Sequence, residues 1–201
     1  MIEDLTEDED TKGRWPKDGD RLFVEAPWAF AGNIVRDPAE RSYRLPMGYK
    51  RAGDILIRRA EHDPVDRQNI IYAALFCYRQ TIELCLKSVI EKFGECEPSK
   101  PKLTHNLVVL WEKFMCIADE RGVAETDGLE AIQALVAEMH TADERADGFR
   151  FAASRNDAPF GFGDRGIDLA NLREVMQGVV NFFECADSVF SEQDDHATYG
   201  Y

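Results

Sequence analysis

Apolar residues recur every three or four positions in five stretches of the chain, which is the spacing of one face of an α-helix. The first two predicted helices cover residues 48–61 and 65–93. The third begins near Thr104 and the fourth near Thr126 or Asp127, and the fifth runs from Asp168 to about Phe190. Asp63-Pro64 separates the first two helices, because proline disfavours helix at the preceding residue and can open a new helix itself. Gly94 ends the long second helix, and Thr104 is the expected cap of the third.

The inner faces of the later helices can be read from the same spacing. The residues placed there are Leu107, Leu110, Trp111, Phe114 and Ala118, then Leu129, Ile132, Val136 and Met139, then Leu172, Val175, Met176, Val179, Phe182, Phe183, Ala186 and Val189. Helices with one apolar face are stable when they pack around a shared core. The expected core is therefore that of a helical bundle.

Two segments do not follow the helical spacing. Residues 1–46 contain many glycines and prolines and predict an irregular arm, with Trp15, Trp28 and Phe30 as its packing anchors. The segment "GFRFAASRNDAPFGFGDRG" alternates phenylalanine with other residues, which predicts a hairpin-like or extended insert.

These patterns together predict an all-α fold. It is an antiparallel bundle of four to five helices, with an irregular N-terminal arm and a hairpin-like insert before the last helix. The expected divisions are an acidic tail and arm at 1–46, the bundle at 47–190 and an acidic C-terminal tail at 191–201.

A row of charges interrupts the apolar pattern of the long helix. Arg79, Glu83 and Lys87 follow one another at intervals of four residues. At roughly 100° per residue, Arg79 lies about 40° from Leu75, inside the apolar face, and each later charge lies about 40° further round. The row therefore begins in the core and winds outward.

A buried arginine must be paired and hydrogen-bonded, because an isolated buried charge is very costly. Glu83 is within reach at helical spacing but cannot satisfy all five donors of the guanidinium. A second acceptor is expected from Asp143, Asp147 or a backbone carbonyl near the insert. Two readings remain open: a buried ion network that fixes helix register, or a polar patch that lines a pocket.

The charge balance limits the classes of partner. The chain has 38 acidic and 24 basic residues, a formal net charge of −14. A field of that sign disfavours DNA, although a local basic cleft for RNA or a nucleotide can coexist with acidic ends.

The charge of the first residues and the length of the apolar runs indicate the cellular location of the protein. The first ten residues hold six acids, the opposite of a secretory leader, and no apolar run approaches the roughly 20 residues of a membrane span. We expect a cytoplasmic protein with no membrane partner. The five cysteines contain no Cys-x-x-Cys pair and are expected to be reduced, buried hydrophobes.

Motif searches indicate neither a metal nor a cofactor. The four histidines show no metal-binding spacing, and no dinucleotide-binding or phosphate-loop glycine motif is present. The prediction is therefore no metal and no cofactor. His105 stands in the first turn of a predicted helix, where the macrodipole favours a neutral ring that either caps and packs or acts as a base.

Three blocks of the sequence resemble the HEPN superfamily, in particular poorly characterised prokaryotic HEPN-like proteins. These have a Tyr-Arg-x-x-x-Glu-x-x-x-Lys helix, a His-x-Leu helix start and an Asp…Phe-Arg-Tyr segment. The matching positions are Tyr78, Arg79, Glu83 and Lys87, then His105 and Leu107, then Asp143, Phe149, Arg150 and Phe151. The resemblance covers about residues 48 to 190.

The resemblance implies an antiparallel helical bundle that often forms a homodimer or binds a protein partner. It also implies a role in RNA cleavage, toxin–antitoxin pairs, phage defence, or RNA and nucleotide binding. Ribonuclease members carry Arg-x(4–6)-His late in the bundle and work without metal. That motif is missing, since the only histidine after Arg145, Arg150 and Arg155 is His196 in the acidic tail.

Arg150, Arg155 and Arg165, interleaved with phenylalanines, are the best local basic patch. In one interpretation, these side chains stack on the bases and bind the phosphates of RNA or a nucleotide. In the other, the phenylalanines hold the insert against the core and the arginines pair with acids. The candidate binding residues are Arg79, Glu83, Lys87, His105, Asp143, Arg150 and Arg155.

Two functional hypotheses follow. The first is a non-catalytic HEPN-like module that binds a partner, a nucleotide or RNA in a prokaryotic defence or stress system. The second is a metal-independent ribonuclease with a rearranged site, for which the candidates are Arg79, Glu83, His105 and Arg150. Whether the protein is an enzyme stays open, and the missing motif favours the first hypothesis.

Overall fold

The computed structural model describes residues 15–27, 32, 34–94, 103–123, 128–151 and 166–200. The chain divides into two compact units, residues 1–35 and 36–201. The described part of the first unit contains a turn closed by Lys17 and Asp20, in which Gly19 has a φ of 87°. Trp15 is 83% exposed, so its prediction as a buried anchor is wrong, whereas Trp28 and Phe30 lie outside the described residues.

The second unit is built from helices, and the described residues of the chain contain no strand. The helices are α1 (Pro38–His62), α2 (Pro64–Phe93), α3 (Leu107–Glu120), α4 (Leu129–Ala142) and α5 (Leu169–Tyr199). The all-α bundle is confirmed. Of the predicted hairpin-like insert, residues 148–151 form turns, and residues 152–165 lie outside the described ranges.

Helix α1 begins ten residues before the predicted start. Asp37 caps it, because its Oδ1 accepts the N–H of Glu40 at 2.8 Å, and Pro38 occupies the first turn. Pro46 lies inside the helix and is buried. Assigning residues 38–46 to an irregular arm was therefore wrong: packing of the helix against its neighbours outweighs the local cost of one proline.

Asp63 forms the sharp connection between α1 and α2, as predicted. Its side chain accepts the backbone N–H groups of Val65 and Asp66, and its own N–H donates to the carbonyl of Arg59. These backbone hydrogen bonds lower the pKa of Asp63, since they favour the charged carboxylate. Helix α2 ends at the predicted residue, with Gly94 as its cap.

The ends of α3 and α5 differ from the prediction. Asn106, not Thr104, caps α3, accepting the N–H of Val109 at 3.1 Å. Helix α5 does not stop near Phe190 but continues through the acidic segment to Tyr199. Arg121, which follows α3, donates to the Phe190 carbonyl at 3.0 Å and pairs with Asp194 at 2.8 Å. This tertiary anchor extends the helix beyond its apolar stripe.

Aromatic rings from α3 and α5 form the centre of the core. Phe114 lies within 5.0–6.2 Å of the rings of Trp111, Phe182, Phe183 and Phe190. All five residues predicted for the inner face of α3 are buried. None of the described helices combines the length and the apolar character needed to cross a membrane.

The cysteines only partly follow the expectation. Cys85 is buried, and burial raises the pKa of its thiol to about 12, so it stays protonated. Cys116 and Cys185 are exposed, so predicting them as buried was wrong. Both lie on the outer faces of their helices, so the apolar residues next to them in the sequence do not indicate that the cysteines are buried.

Helices α1 and α2 come unusually close at Gly53. A Cβ atom there would lie 2.6 Å from Cε1 of Tyr78, so the ring occupies the space of the missing side chain. The Tyr78 hydroxyl donates to Oδ1 of Asp54 at 2.8 Å, and buried Lys50 binds Oδ2 of Asp54 at 2.7 Å. The close approach therefore lets a buried tyrosine reach its acceptor.

We expect Gly53→Ala to destabilise the protein by about 1–3 kcal/mol, because the new methyl group overpacks the α1–α2 contact. The matched control is Gly178→Ala in α5, where a Cβ meets nothing within 4 Å. The control should gain about 0.5–1 kcal/mol from helix propensity. Urea unfolding of both variants tests the difference, and equal effects would contradict the close contact.

Candidate functional site

Arg79 is fully buried in α2, and its hydrogen bonds reach three separate parts of the chain. Its Nη1 donates to Oε2 of Glu83 at 2.7 Å, on the same helix. Its Nη2 donates to the carbonyl of His105 at 2.8 Å, and its Nε donates to the carbonyl of Asp143 at 3.0 Å. The arginine thus fixes the residues before α3 and after α4 against α2.

Asp143 supplies the second acceptor of Arg79, and it is one of the three alternatives that the sequence predicted. Its carboxylate oxygen Oδ2 lies 3.3 Å from Nε of Arg79 and balances its charge, although the hydrogen bond itself goes to the carbonyl. Its other oxygen, Oδ1, accepts the N–H groups of Asp147 and Gly148, both at 2.8 Å. These bonds shape the loop after α4, in which Ala146 has a φ of 60°.

Glu83 connects the buried arginine to the surface. Its Oε2 accepts from Arg79, whereas its Oε1 accepts from Nζ of Lys87 at 2.7 Å and contacts Nδ1 of His105 at 2.7 Å. Burial raises the pKa of Glu83, but the hydrogen bonds from Lys87, Arg79 and His105 outweigh it and hold the pKa below its usual 4.5. The carboxylate is therefore ionised at neutral pH.

This ionised carboxylate determines the protonation of the His105 ring. A carboxylate has only acceptors, so the Nδ1 atom at 2.7 Å must carry the proton. In the neutral ring, Nε2 is then an unprotonated acceptor. The His105 side chain is 68% exposed, so the ring can be reached from solvent.

His105 lies at the edge of a surface groove of about 720 Å³. One wall comes from the segment that precedes α3, and the other from the loop that follows α4. The lining residues are Thr104, His105, Asn106, Glu144, Arg145, Asp147, Arg150 and Phe151. Among the residues that the structure describes, neither Arg145 nor Arg150 has an acidic partner within ion-pair distance.

The predicted site residues divide into two layers. Arg79, Glu83 and Asp143 are buried beneath the groove, and Lys87 lies beside Glu83 with 16% of its side chain exposed. His105 and Arg150 line the groove itself. Arg155 lies outside the described residues.

Arg145 is a groove residue that the sequence analysis did not select. It lies two residues after Asp143 and five before Arg150. This spacing was the signal in the sequence that could have identified Arg145. It does not show, however, which of Asp143, Arg145 and Arg150 is buried and which line the groove. His105 also differs from the expectation, because it precedes the cap of α3 and does not lie in its first turn.

The described residues contain no group of three or more histidine, cysteine, aspartate or glutamate side chains placed to hold a metal ion. What the groove offers chemically is an acceptor nitrogen, two guanidinium groups and an exposed aromatic ring. This set can bind an anion and move a proton.

Comparison with known proteins gives no further assignment: no protein-family model, curated protein or solved structure matches the chain.

We expect Arg79→Met to destabilise the protein by about 3–5 kcal/mol, because it leaves Asp143 without its buried counter-charge. The matched control is Arg44→Met, which breaks an ion pair with Glu40 at the same helical spacing on the surface. That pair contributes only about 0.3–0.5 kcal/mol. Urea unfolding compares the two variants, and a small loss for Arg79→Met would contradict its role as a clamp.

The pH dependence of stability tests the charge of Glu83. A carboxyl group whose pKa is lower in the folded state stabilises the protein above its unfolded pKa, and this contribution is lost as the pH falls through the folded value. The stability gap between the wild type and Glu83→Gln should therefore be largest at neutral pH and shrink below about pH 4.5.

The charged or titratable side chains that face Glu83 are those of Arg79, Lys87 and His105. Taking the difference between the two proteins removes the titration of distant carboxylates. Urea unfolding at a series of pH values measures the gap. A gap that stays constant on acidification would show that Glu83 is not the titrating group.

Proposed function

We propose that this protein is a HEPN-like helical module that binds RNA or a nucleotide in the groove between Thr104–Asn106 and residues 144–151. The observation that carries the proposal is the presence of two arginines, Arg145 and Arg150, in one groove beside the oriented ring of His105. Guanidinium groups pair with phosphate oxygens through parallel hydrogen bonds. A phosphate-bearing ligand therefore matches the chemistry of the groove.

The basic side chains of the groove also support this proposal. Among the described arginines, Arg44, Arg59 and Arg121 pair with nearby acids, whereas Arg145 and Arg150 have no ion pair to a described residue. The groove also contains Glu144 and Asp147, yet neither forms an ion pair with a described arginine. A local pair of cations is the feature that an anionic ligand needs on an otherwise repulsive surface.

The resemblance of the three sequence blocks to HEPN-like proteins supplies the biological setting. We infer a component of a prokaryotic defence or stress system that works as a homodimer or with a protein partner. Light scattering on the purified chain addresses the self-association.

A second function, metal-independent RNA cleavage, is favoured by one observation. Glu83 lies 2.7 Å from Nδ1 of His105 and leaves Nε2 as a base that can take a proton from a ribose hydroxyl. Arg145 or Arg150 would then stabilise the charge that develops on the phosphate. Because the Arg-x(4–6)-His motif is missing, RNA cleavage is the second candidate function, after binding.

Binding is tested with a fluorescein-labelled single-stranded RNA of mixed sequence, followed by anisotropy. We expect Arg145→Gln to weaken binding roughly tenfold or more, because one charge-assisted phosphate contact is lost. The control variant Arg44→Gln removes the same charge from an exposed site on α1 and should change the Kd less than twofold. Absence of binding by the wild type, or equal losses for both variants, would contradict the proposal.

The same RNA separates binding from cleavage. The wild type and His105→Gln are incubated with the RNA in the presence of EDTA, and the products are resolved on a gel. Cleavage by the wild type alone would assign the second function to the groove. Intact RNA with retained binding would identify a binding module without catalysis.

A further inference from the structure

The groove ends at a stack of aromatic and guanidinium groups that the phosphate contacts do not use. The guanidinium carbon of Arg150 lies 5.3 Å from the ring centroid of Phe151 and 5.6 Å from that of Phe76. Phe76 in turn meets Tyr49 edge-on, with centroids 6.2 Å apart and an interplanar angle of 86°. The stack therefore runs from α1 and α2 to the rim of the groove.

Each member of the stack has a fixed support. Tyr49 and Phe76 belong to the two packed helices α1 and α2. Phe149 is buried at 8% exposure and anchors the turn that carries Arg150 and Phe151. The turn that carries the exposed end is therefore attached to the helical unit through a buried side chain.

Phe151 differs from the other members because it is open to solvent. It is 59% exposed and lines the groove with Arg150. One exposed phenylalanine needs no special explanation by itself. Here, however, the ring is combined with an anchored guanidinium and a second arginine, Arg145, in one groove.

We propose that Arg150 and Phe151 form a platform on which one unpaired nucleobase stacks. This inference rests on the proposed function and names its substrate class as single-stranded RNA rather than a duplex. Every base has a π face, so such a platform accepts different sequences but requires an unstacked base. Arg150 can contribute in two ways, because a guanidinium group over an aromatic ring can still donate its N–H groups to a phosphate.

A peptide ligand fits the groove less well. Glu144 and Asp147 line the groove together with the two arginines and repel any anionic ligand, and the carboxylates of an acidic peptide have no π face that could stack on Phe151 in compensation. A nucleotide instead places a neutral base over the ring and a single phosphate near the arginines. The two cases are distinguished by the competitors in the test.

The test uses two variants of the exposed residue Phe151, which should leave folding intact. Phe151→Leu removes the ring but keeps an apolar side chain, whereas Phe151→Tyr keeps the ring. The probes are a fluorescein-labelled single-stranded RNA, the same strand annealed to its complement, and inorganic tripolyphosphate as a competitor. Circular dichroism confirms that both variants remain helical.

We expect the wild type to bind the single strand at least tenfold more tightly than the duplex. Phe151→Leu should lose roughly tenfold in affinity for the single strand. Tripolyphosphate should displace the RNA from this variant at least as easily as from the wild type, because the phosphate contacts remain. Phe151→Tyr should stay within twofold of the wild type.

Other outcomes separate this inference from the proposed function. If Arg145→Gln weakens binding but Phe151→Leu does not, the platform is wrong and the phosphate groove stands. If the wild type binds none of the RNA probes, both proposals fail. Displacement of the single strand by poly-glutamate as effectively as by unlabelled RNA would overturn the platform in favour of a protein ligand.

Discussion

The burial of Arg79 constrains more of this structure than any other single interaction. A guanidinium group has five donors, and removing it from water is costly unless nearby acceptors replace the lost hydration. The acceptors come from Glu83, from the carbonyl of His105 and from the carbonyl of Asp143. Since these lie far apart in the chain, the arginine can be satisfied only when α2, the start of α3 and the loop after α4 have assembled.

The same constraint builds the groove. Its two walls are the segments whose carbonyls Arg79 binds, so the clamp beneath the groove also sets the separation of its sides. Glu83 then extends the network outward, with one oxygen on the buried arginine and the other on Lys87 and His105. The row of charges in α2 therefore matches the reading of a buried ion network that supports the groove from beneath, because none of its three members is among the residues that line the groove.

Electrostatics place a further condition on any ligand. The net charge of −14 produces a long-range field that repels polyanions. Salt screens this field at distances beyond roughly 10 Å. Binding of an anionic ligand would therefore depend on short-range contacts inside the groove. An oriented imidazole, two guanidinium groups and an aromatic ring line the groove and can make contacts of that kind.

Much of the fold was readable from the sequence, because helical periodicity and capping are local properties. The apolar face of α3, both ends of α2 and the position of Arg79 within a buried face agree with the structure. The start of α1 and the end of α5 were missed. Pro46 and the acidic segment after Phe190 disfavour helix locally, and only packing against neighbouring helices reverses that preference.

The candidate site shows the same division. The sequence by itself determined that Arg79 needs Glu83 and a distant acceptor, because the cost of a buried charge follows from its position on one helix. Only the tertiary structure decided that the acceptors include Asp143 and the carbonyl of His105, and that the histidine ring meets Glu83 beside Arg145 and Arg150. Such contacts join residues 22 to 64 positions apart, and helical spacing carries no information over that distance.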